Sequence, residues 1–122
     1  MRSLQVLVVD DEPAIRQILA NAISKAGHSV STAQNGEEAL LRLSKGDVEV
    51  CICDIRMPDM SGIEVVTTAK ESGIDTTFLM MTAFASVNTA IEAMKAGAYD
   101  YILKPFKAEE IVHIVQRGMK SC

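Results

Sequence analysis

Five short apolar runs alternate with five segments of helical periodicity along this chain. The runs are residues 5–9, 30–33, 50–53, 78–81 and 99–103. They are nearly continuous in apolar residues, which is typical of strands that are buried on both faces. We therefore predict an α/β fold with a five-stranded parallel sheet covered by helices on both faces. For five strands the common doubly wound, flavodoxin-like arrangement has the order 2-1-3-4-5.

The ends of several helices are marked by residues that favour helix starts and stops. The first helix is predicted to begin at Pro13, which suits a first helical turn, and to end near Gly27. The third is predicted to be capped by Ser61 and to end near Gly73, and the fourth to be capped by Ser86. A weaker second helix carries Leu40 and Leu43, and a fifth helix is predicted over residues 107–117.

The fourth helix has two candidate faces, which differ in the size and polarity of their side chains. The larger apolar residues are predicted to form its inner face: Val87, Ala90, Ile91 and Met94. Thr89 and Ala93 are predicted to point outward. Most faces of this outward kind are simply solvated, so the pattern alone does not indicate an interface.

Length, charge and cysteine content exclude several classes of protein. The 122 residues correspond to about one domain, so the whole chain is predicted to fold as a single unit. The net charge of −4 disfavours direct nucleic-acid binding, which needs clustered Lys and Arg. No apolar run approaches the ~18 residues of a membrane span, and no signal peptide is evident. The three cysteines do not suit a disulfide scaffold, so a cytoplasmic location is predicted.

The cysteines and histidines, which are common metal ligands, are not predicted to bind a metal in this chain. Cys51 and Cys53 point to one face of the third strand, where they are predicted to be small apolar filler rather than a metal or redox site. His28 and His113 lie far apart in different elements and are predicted to lie on the surface. Cys122 is predicted to be an exposed free thiol.

Polar residues follow four of the five predicted strands. They are Asp10, Asp11 and Glu12 after strand 1, Asp54 after strand 3, Thr82 after strand 4 and Lys104 after strand 5. In a parallel sheet these strand ends share one edge, and in the order 2-1-3-4-5 the four strands are consecutive neighbours. The carboxylates, the hydroxyl and the ammonium are therefore predicted to converge in one crevice.

A cluster of carboxylates indicates a cation, because each close pair costs on the order of 1–4 kcal/mol in repulsion. Oxygen ligands that leave room for waters suit Mg²⁺ better than zinc. A metal beside a lysine and a hydroxyl describes a site for a phosphoryl group, with one carboxylate available as the nucleophile. The chain lacks the glycine-rich motifs of nucleotide-binding loops.

Four motifs, taken together, resemble a bacterial response-regulator receiver domain over essentially the whole chain, residues 1–122. The motifs are VVDDE at 8–12, CDIRMPDMSG at 53–62, the pair Thr82-Ala83, and GAYDYILKPF at 97–106. Residues 81–106 are most similar to receivers of enhancer-binding transcription activators of the nitrogen-regulatory type.

The resemblance implies a site in which Asp54 is the phosphoacceptor. It implies that Mg²⁺ is held by Asp11 directly, by Asp10 through water, and by Asp54 and the backbone carbonyl of Arg56. Lys104 would pair with the phosphoryl group, and backbone N–H groups near Met57 and Ala83 would hold its oxygens.

The resemblance also implies a switch. Thr82 would move toward the phosphoryl group, and Tyr101 would swing into the space that Thr82 vacates. This movement would couple the site to the surface of helix 4, strand 5 and helix 5. A cis peptide bond is expected before Pro105.

The function expected from the resemblance is a signalling switch that catalyses its own phosphorylation and dephosphorylation, not a turnover enzyme. Its partners would be a sensor histidine kinase, a second copy of the chain on activation, and a C-terminal output module that this chain lacks. The output would be transcriptional regulation. Residues 120–122 resemble the start of a linker, which favours an excised module.

Two other functions remain open from the residues. One is a small Mg²⁺-dependent phosphatase, although such an enzyme needs an acid two residues after the nucleophile, where this chain has Arg56. The other is an interaction domain that does not use phosphorylation. The presence of Asp54, Thr82 and Lys104 argues against it.

Overall fold

The computed structural model describes residues 3–83 and 87–120, which form a parallel sheet of five strands with helices between them. The elements are β1 (Gln5–Val9), α1 (Pro13–Lys25), β2 (Ser29–Ala33), α2 (Gly36–Leu43), β3 (Val50–Asp54), α3 (Gly62–Glu71), β4 (Thr77–Thr82), α4 (Val87–Ala96), β5 (Asp100–Leu103) and α5 (Ala108–Lys120). The strand order is β2-β1-β3-β4-β5 with every pair parallel, as predicted.

The sheet separates two apolar clusters, because alternate residues of a strand point to opposite faces. Val6 and Val8 of β1 belong to one cluster, which is closed by α1 and α5 through residues such as Leu19 and Ile111. Leu7 and Val9 belong to the other, which is closed by residues of α2, α3 and α4. Helices on both faces leave the carboxyl edge of the sheet as the place where polar side chains gather.

Cys51 and Cys53 are free, fully buried thiols in the cluster on the α2–α4 side of the sheet. The hydrogen bond with Cys51, together with burial, raises the pKa of Cys53 well above its usual range. Both sulfurs are therefore packing groups in this structure, which agrees with their interpretation as small apolar filler.

The starts of α1 and α3 follow the predicted signals, whereas α5 runs to Lys120, three residues beyond its predicted end. Pro13 occupies the start of α1, and the Ser61 hydroxyl accepts the Ile63 N–H at the start of α3 (3.0 Å). Gly27 has a φ of +97° just after α1, a conformation that glycine adopts without strain. The predicted cap Ser86 and the thiol of Cys122 lie outside the described residues. No helix within those residues is both long and apolar enough to span a membrane.

The face predicted for α4 is wrong. Ala93 is buried against the sheet, whereas Ile91 and Met94, predicted to point inward, are 46% and 48% exposed. Ala96 also packs against the core cluster. The helix lies on the sheet through its small residues, which allow a close approach, and apolar periodicity alone does not distinguish that face from the bulkier one.

The surface position predicted for His28 is also wrong, since His28 is only 6% exposed. Its Nδ1 accepts the Leu4 N–H at 3.0 Å, which places the ring proton of the neutral form on Nε2. Burial lowers the pKa of His28. His113, in contrast, is exposed as predicted.

Stability is therefore expected to fall on acidification through His28. Because its pKa is lower in the folded protein, the unfolded chain takes up the proton first, from about pH 6.5 downward. The contribution of the neutral ring is complete above that pH and is lost as pH falls through the folded value. Between pH 7 and 5, the free energy of unfolding of the wild type, measured by denaturant unfolding, should fall more steeply than that of His28→Asn. The difference in slope should reach up to about 1.4 kcal/mol per pH unit. His113→Asn should keep the wild-type slope, and an unchanged slope in His28→Asn would contradict the role.

Candidate functional site

Three carboxylates meet where β1 and β3 end side by side at the carboxyl edge of the sheet. Val9 pairs with Cys53, so the residues that follow them, Asp10 and Asp54, are brought together. One oxygen from each of Asp10, Asp11 and Asp54 lies within 4.8 Å of the others. The structure thus brings together the acidic residues that the topology predicted would converge.

The three acids differ in their exposure to solvent. Asp10 is fully buried and Asp54 is only 5% exposed, whereas Asp11 is exposed. Water therefore screens the charges of Asp10 and Asp54 poorly, whereas the charge of Asp11 is exposed to solvent. This arrangement concentrates negative potential on one point at the surface.

Lys104 supplies the positive charge that faces these acids. It follows β5, and its Nζ donates to Asp10 Oδ2 at 2.8 Å and to Asp54 Oδ2 at 3.1 Å. Glu12 Oε1 lies 3.7 Å from the same nitrogen. Burial opposes the charged ammonium, but the hydrogen bond that it donates to Asp10 and the charges of both aspartates outweigh burial and raise the pKa of Lys104. Lys104 therefore stays protonated and bridges two strand ends.

Asp54 carries its charge at a cost. Burial and the charge of Asp10 raise its pKa above the usual range, against the opposing effect of Lys104 and of the Arg56 N–H. That N–H donates to Asp54 Oδ1 at 3.3 Å. A carboxylate in this position gains from any added cation, because the cation offsets the repulsion that Lys104 leaves uncompensated.

Asp10 is held by contacts on both its side chain and its backbone. Its Oδ1 accepts the Glu12 N–H at 2.9 Å, and its backbone carbonyl accepts Arg16 Nη1 at 2.6 Å. With Lys104 on Oδ2, both carboxylate oxygens are engaged. Arg16 was missed by the sequence reasoning, because a helix residue six positions along carries no local signal that it returns to the strand end.

The segment after Asp54 forms a tight loop. The Gly62 N–H donates to the Ile55 carbonyl at 2.8 Å, which closes the loop at its base. A Cβ at Gly62 would lie 2.3 Å from the Asp54 carbonyl oxygen, so only glycine fits this close approach. The backbone of Asp54 is thus fixed from both sides, by β4 and by the start of α3.

A cavity of about 200 Å³ opens beside the three acids. It is lined by Asp11, Glu12, Asp54, Arg56, Ala83 and Lys104. At roughly 30 Å³ per water in the liquid, it has room for several waters or for a small anion. The cavity therefore gives a ligand of phosphate size access to Asp54 and Lys104 together.

The remaining predicted site residues lie on β4 and β5 and in the adjoining loops, outside the lining of this cavity. Thr82 ends β4 and is almost completely buried, and Met57 is half-buried in the loop after Asp54. Tyr101 on β5 packs against the core cluster on the α4 side. Its hydroxyl is buried without a hydrogen-bond partner among the described residues. The peptide bond between Lys104 and Pro105 is cis.

The donor set fits a hard divalent cation. The three clustered aspartates carry three formal negative charges, and Lys104 pairs with two of them, Asp10 and Asp54, so these four side chains together keep a formal excess of two negative charges. The candidate side-chain ligands are all carboxylate oxygens, the type that Mg²⁺ prefers, and the open cavity leaves space for waters. Neither cysteine of the sheet belongs to this cluster, which disfavours softer metals.

Comparison with known proteins gives a consistent result. A family model described as the response regulator receiver domain matches residues 6–116. The regulatory protein AtoC of Escherichia coli is 39% identical over 116 residues, covering 95% of this chain and 25% of AtoC. The DNA-binding transcriptional regulator NtrC of Salmonella typhimurium is 37% identical over 114 residues, covering 93% of this chain and 24% of NtrC.

A solved structure supports the same relationship. The beryllofluoride-activated NtrC4 receiver domain dimer has a TM-score of 0.89 and 32% identity, covering 96% of this chain and 97% of that one. The chain thus spans about a quarter of the length of AtoC and NtrC. It matches nearly all of the NtrC4 receiver.

Proposed function

The chain belongs to the response-regulator receiver family, and from that premise we propose that it accepts a phosphoryl group on Asp54 from a sensor histidine kinase in a Mg²⁺-dependent reaction. The observation that carries the proposal is the placement of Asp54. It lies within reach of two further carboxylates and of Lys104, beside a cavity that admits a phosphoryl group.

The transfer step follows from this geometry. A carboxylate oxygen of Asp54 attacks phosphorus, and an O–P bond forms while the P–N bond to the kinase histidine breaks. The electron pair of that bond passes to the ring nitrogen, and the ring leaves as neutral imidazole because its other nitrogen already carries a proton. Lys104 is placed to pair with the phosphoryl oxygens, and backbone N–H groups near Met57 and Ala83 are proposed to complete their coordination.

The metal ligands are proposed from the same contacts. Asp11 is exposed at the rim and suits direct ligation, whereas both oxygens of Asp10 are already engaged, which suits contact through water. Asp54 and the backbone carbonyl of Arg56 are proposed to complete the protein ligands. When bound, Mg²⁺ supplies positive charge against the phosphoryl oxygens.

The proposed switch involves Thr82 and Tyr101. The buried hydroxyl of Tyr101 lacks a partner within the described part of the chain, and such a group costs about 1–3 kcal/mol. If the Tyr101 ring turns inward when Thr82 moves toward the phosphoryl group, its hydroxyl would gain a hydrogen-bond partner. That bond would stabilise the inward position of the ring. Phosphorylation would then shift the population between two arrangements of α4 and β5.

The proposed output is self-association and control of a module outside this chain. Ile91, Met94 and Leu103 are between 46% and 49% exposed on α4 and β5, an apolar surface suited to a partner. The NtrC4 receiver is described as a dimer in its beryllofluoride-activated form. Relatives named as transcriptional regulators favour transcription as the regulated process, and a cytoplasmic location is proposed with it.

Incubation with acetyl phosphate and Mg²⁺ should add one phosphoryl group to the protein, as measured by intact mass. Asp54→Asn should gain none, because an amide oxygen does not act as the acceptor. That variant should be at least as stable as the wild type without metal, since the raised pKa of Asp54 indicates a disfavoured charge. A wild type that gains no phosphoryl group, or a variant that gains one, would refute the assignment.

A further inference from the structure

Asp59, in the loop between β3 and α3, reaches across to the start of α2. Its Oδ1 accepts the Gly36 N–H and its Oδ2 accepts the Glu37 N–H, both at 2.9 Å. The partners are 22 and 23 residues away in sequence, so these are tertiary contacts and not a local turn. A carboxylate at the positive end of a helix is favourably placed.

The backbone donors at the start of α2 are divided between two side chains. Asn35, the residue just before the helix, accepts the Glu38 N–H on its Oδ1 at 2.9 Å. Asp59 accepts the two donors that Asn35 does not take. Asn35 therefore caps the helix from within its own segment, whereas Asp59 ties the helix to the loop that follows Asp54.

A second contact holds the same two segments together. A Cβ at Gly36 would lie 2.2 Å from Met60 Cγ and 2.7 Å from its Sδ. Met60 therefore lies directly on the backbone of Gly36. The loop is closed at its base by the bond between the Gly62 N–H and the Ile55 carbonyl, so its base and its tip are both anchored.

We propose that Asp59 is a positioning residue that holds the loop 55–62 against α2 and thereby sets the backbone of Arg56 and Met57 beside Asp54. The inference rests on the proposed function, in which that backbone contributes a metal ligand and a phosphoryl contact. It goes further by assigning to α2, which supplies no residue to the cavity, the role of a fixed support for the loop. Asp59 acts through the loop and does not itself touch the metal or the phosphoryl group.

The test compares Asp59→Ala with Asn35→Ala, since each removes a cap from the same end of α2. Both should lower the thermal unfolding midpoint to a similar degree. Titration with Mg²⁺ alone, followed by the NMR shifts of the backbone amides near Asp54, should separate them. We expect Asp59→Ala to raise the Mg²⁺ dissociation constant about tenfold, as observed when groups that orient metal ligands are removed. Asn35→Ala should stay close to the wild type.

A third variant separates geometry from charge. Asp59→Asn removes the same negative charge but keeps one of the two oxygens that accept the N–H groups of α2, so its Mg²⁺ affinity should lie between those of the wild type and Asp59→Ala. Equal weakening in Asp59→Asn and Asp59→Ala would mean that only charge matters, and equal weakening in Asp59→Ala and Asn35→Ala would mean that only capping matters. Either result overturns the proposal.

The same experiment distinguishes this proposal from the proposed function. If the wild type binds no Mg²⁺ and accepts no phosphoryl group, the function itself fails. If the wild type does both and Asp59→Ala binds Mg²⁺ as tightly, only the role of Asp59 fails. Gly36→Ala places a methyl group on α2 that would displace Met60 of the loop. It should therefore raise the Mg²⁺ dissociation constant, as Asp59→Ala does. An unchanged affinity there would also count against the coupling.

Discussion

Lys104→Met should lower the free energy of unfolding by about 3 kcal/mol at neutral pH without divalent cations, the lower end of the range for breaking a buried ion pair. Methionine fills much the same space, but Asp10 and Asp54 lose the ammonium between them while they stay nearly inaccessible to water. Phosphoryl acceptance should fall about 10²- to 10³-fold, since the charge facing the phosphoryl oxygens is gone.

Denaturant unfolding with and without Mg²⁺ is the appropriate measurement. Added Mg²⁺ should restore more stability to Lys104→Met than it adds to the wild type, because the variant lacks the ammonium that bridges Asp10 and Asp54. The loss should also shrink on acidification, since the pKa of Asp54 rises further without Lys104 and protonation removes the repulsion. Lys107→Met removes the same charge from an exposed position and should leave the free energy of unfolding nearly unchanged. A comparable loss in Lys107→Met would show that overall charge, and not this bridge, is responsible.

Gly62→Ala is expected to destabilise the protein by about 3 kcal/mol, at the upper end of the cost of overpacking a close contact. The added methyl would lie 2.3 Å from the Asp54 carbonyl oxygen and 3.0 Å from the Ile55 Cα, which are backbone atoms. Those atoms are fixed by β3 and by the hydrogen bond at the base of the loop, so they yield little. Phosphoryl acceptance should fall with stability, since any relief of the clash moves Asp54.

Gly46→Ala provides the control for this substitution. Gly46 has a φ of +79° and open space around it, so alanine there is strained only in its backbone and should cost about 1 kcal/mol. Chemical denaturation should therefore rank Gly62→Ala well below Gly46→Ala in stability. The opposite ranking would show that the loop shifts to accept the methyl, and that Gly62 is not needed for the close approach.

The sheet and its carboxyl edge were predictable from the sequence because they depend on few rules. Nearly continuous apolar runs indicated buried parallel strands, and the preferred order of such sheets placed strands 1 and 3 side by side. Once that order is known, Asp10 and Asp54 must lie near each other. The residue that follows each strand was therefore a sufficient guide to the acidic cluster and to Lys104.

The inner face of α4 and the environment of His28 could not be derived from the same rules. In α4 the small side chain of Ala93 is buried, while Ile91 and Met94 are nearly half exposed. Close packing of α4 on the sheet favours small residues at the contact. A hydrophobicity pattern does not show how closely a helix approaches a sheet, so it could not identify this face. His28 is buried because its Nδ1 meets the Leu4 N–H, a contact over 24 residues that no local pattern reveals.

The supports of the site were the least predictable part. Arg16 and Asp59 act through backbone groups of other segments, and backbone partners leave no mark on the sequence around a side chain. Asp59 stands in the motif that suggested the family, yet its contacts with α2 follow only from the fold. The side chains proposed to contact a shared ligand could be predicted together because they stand at the ends of neighbouring strands. The side chains that contact only backbone groups could not be predicted in this way.

The lysine bridge between Asp10 and Asp54 has a consequence for the kinetics of the site. A free lysine side chain loses up to about 2 kcal/mol of rotational entropy when it is immobilised. Here that ordering accompanies folding, since both aspartates already hold the ammonium in place. An incoming phosphoryl group would therefore meet an ammonium whose direction is set in advance, and the encounter would involve an exchange of hydrogen-bond acceptors and not a search through rotamers.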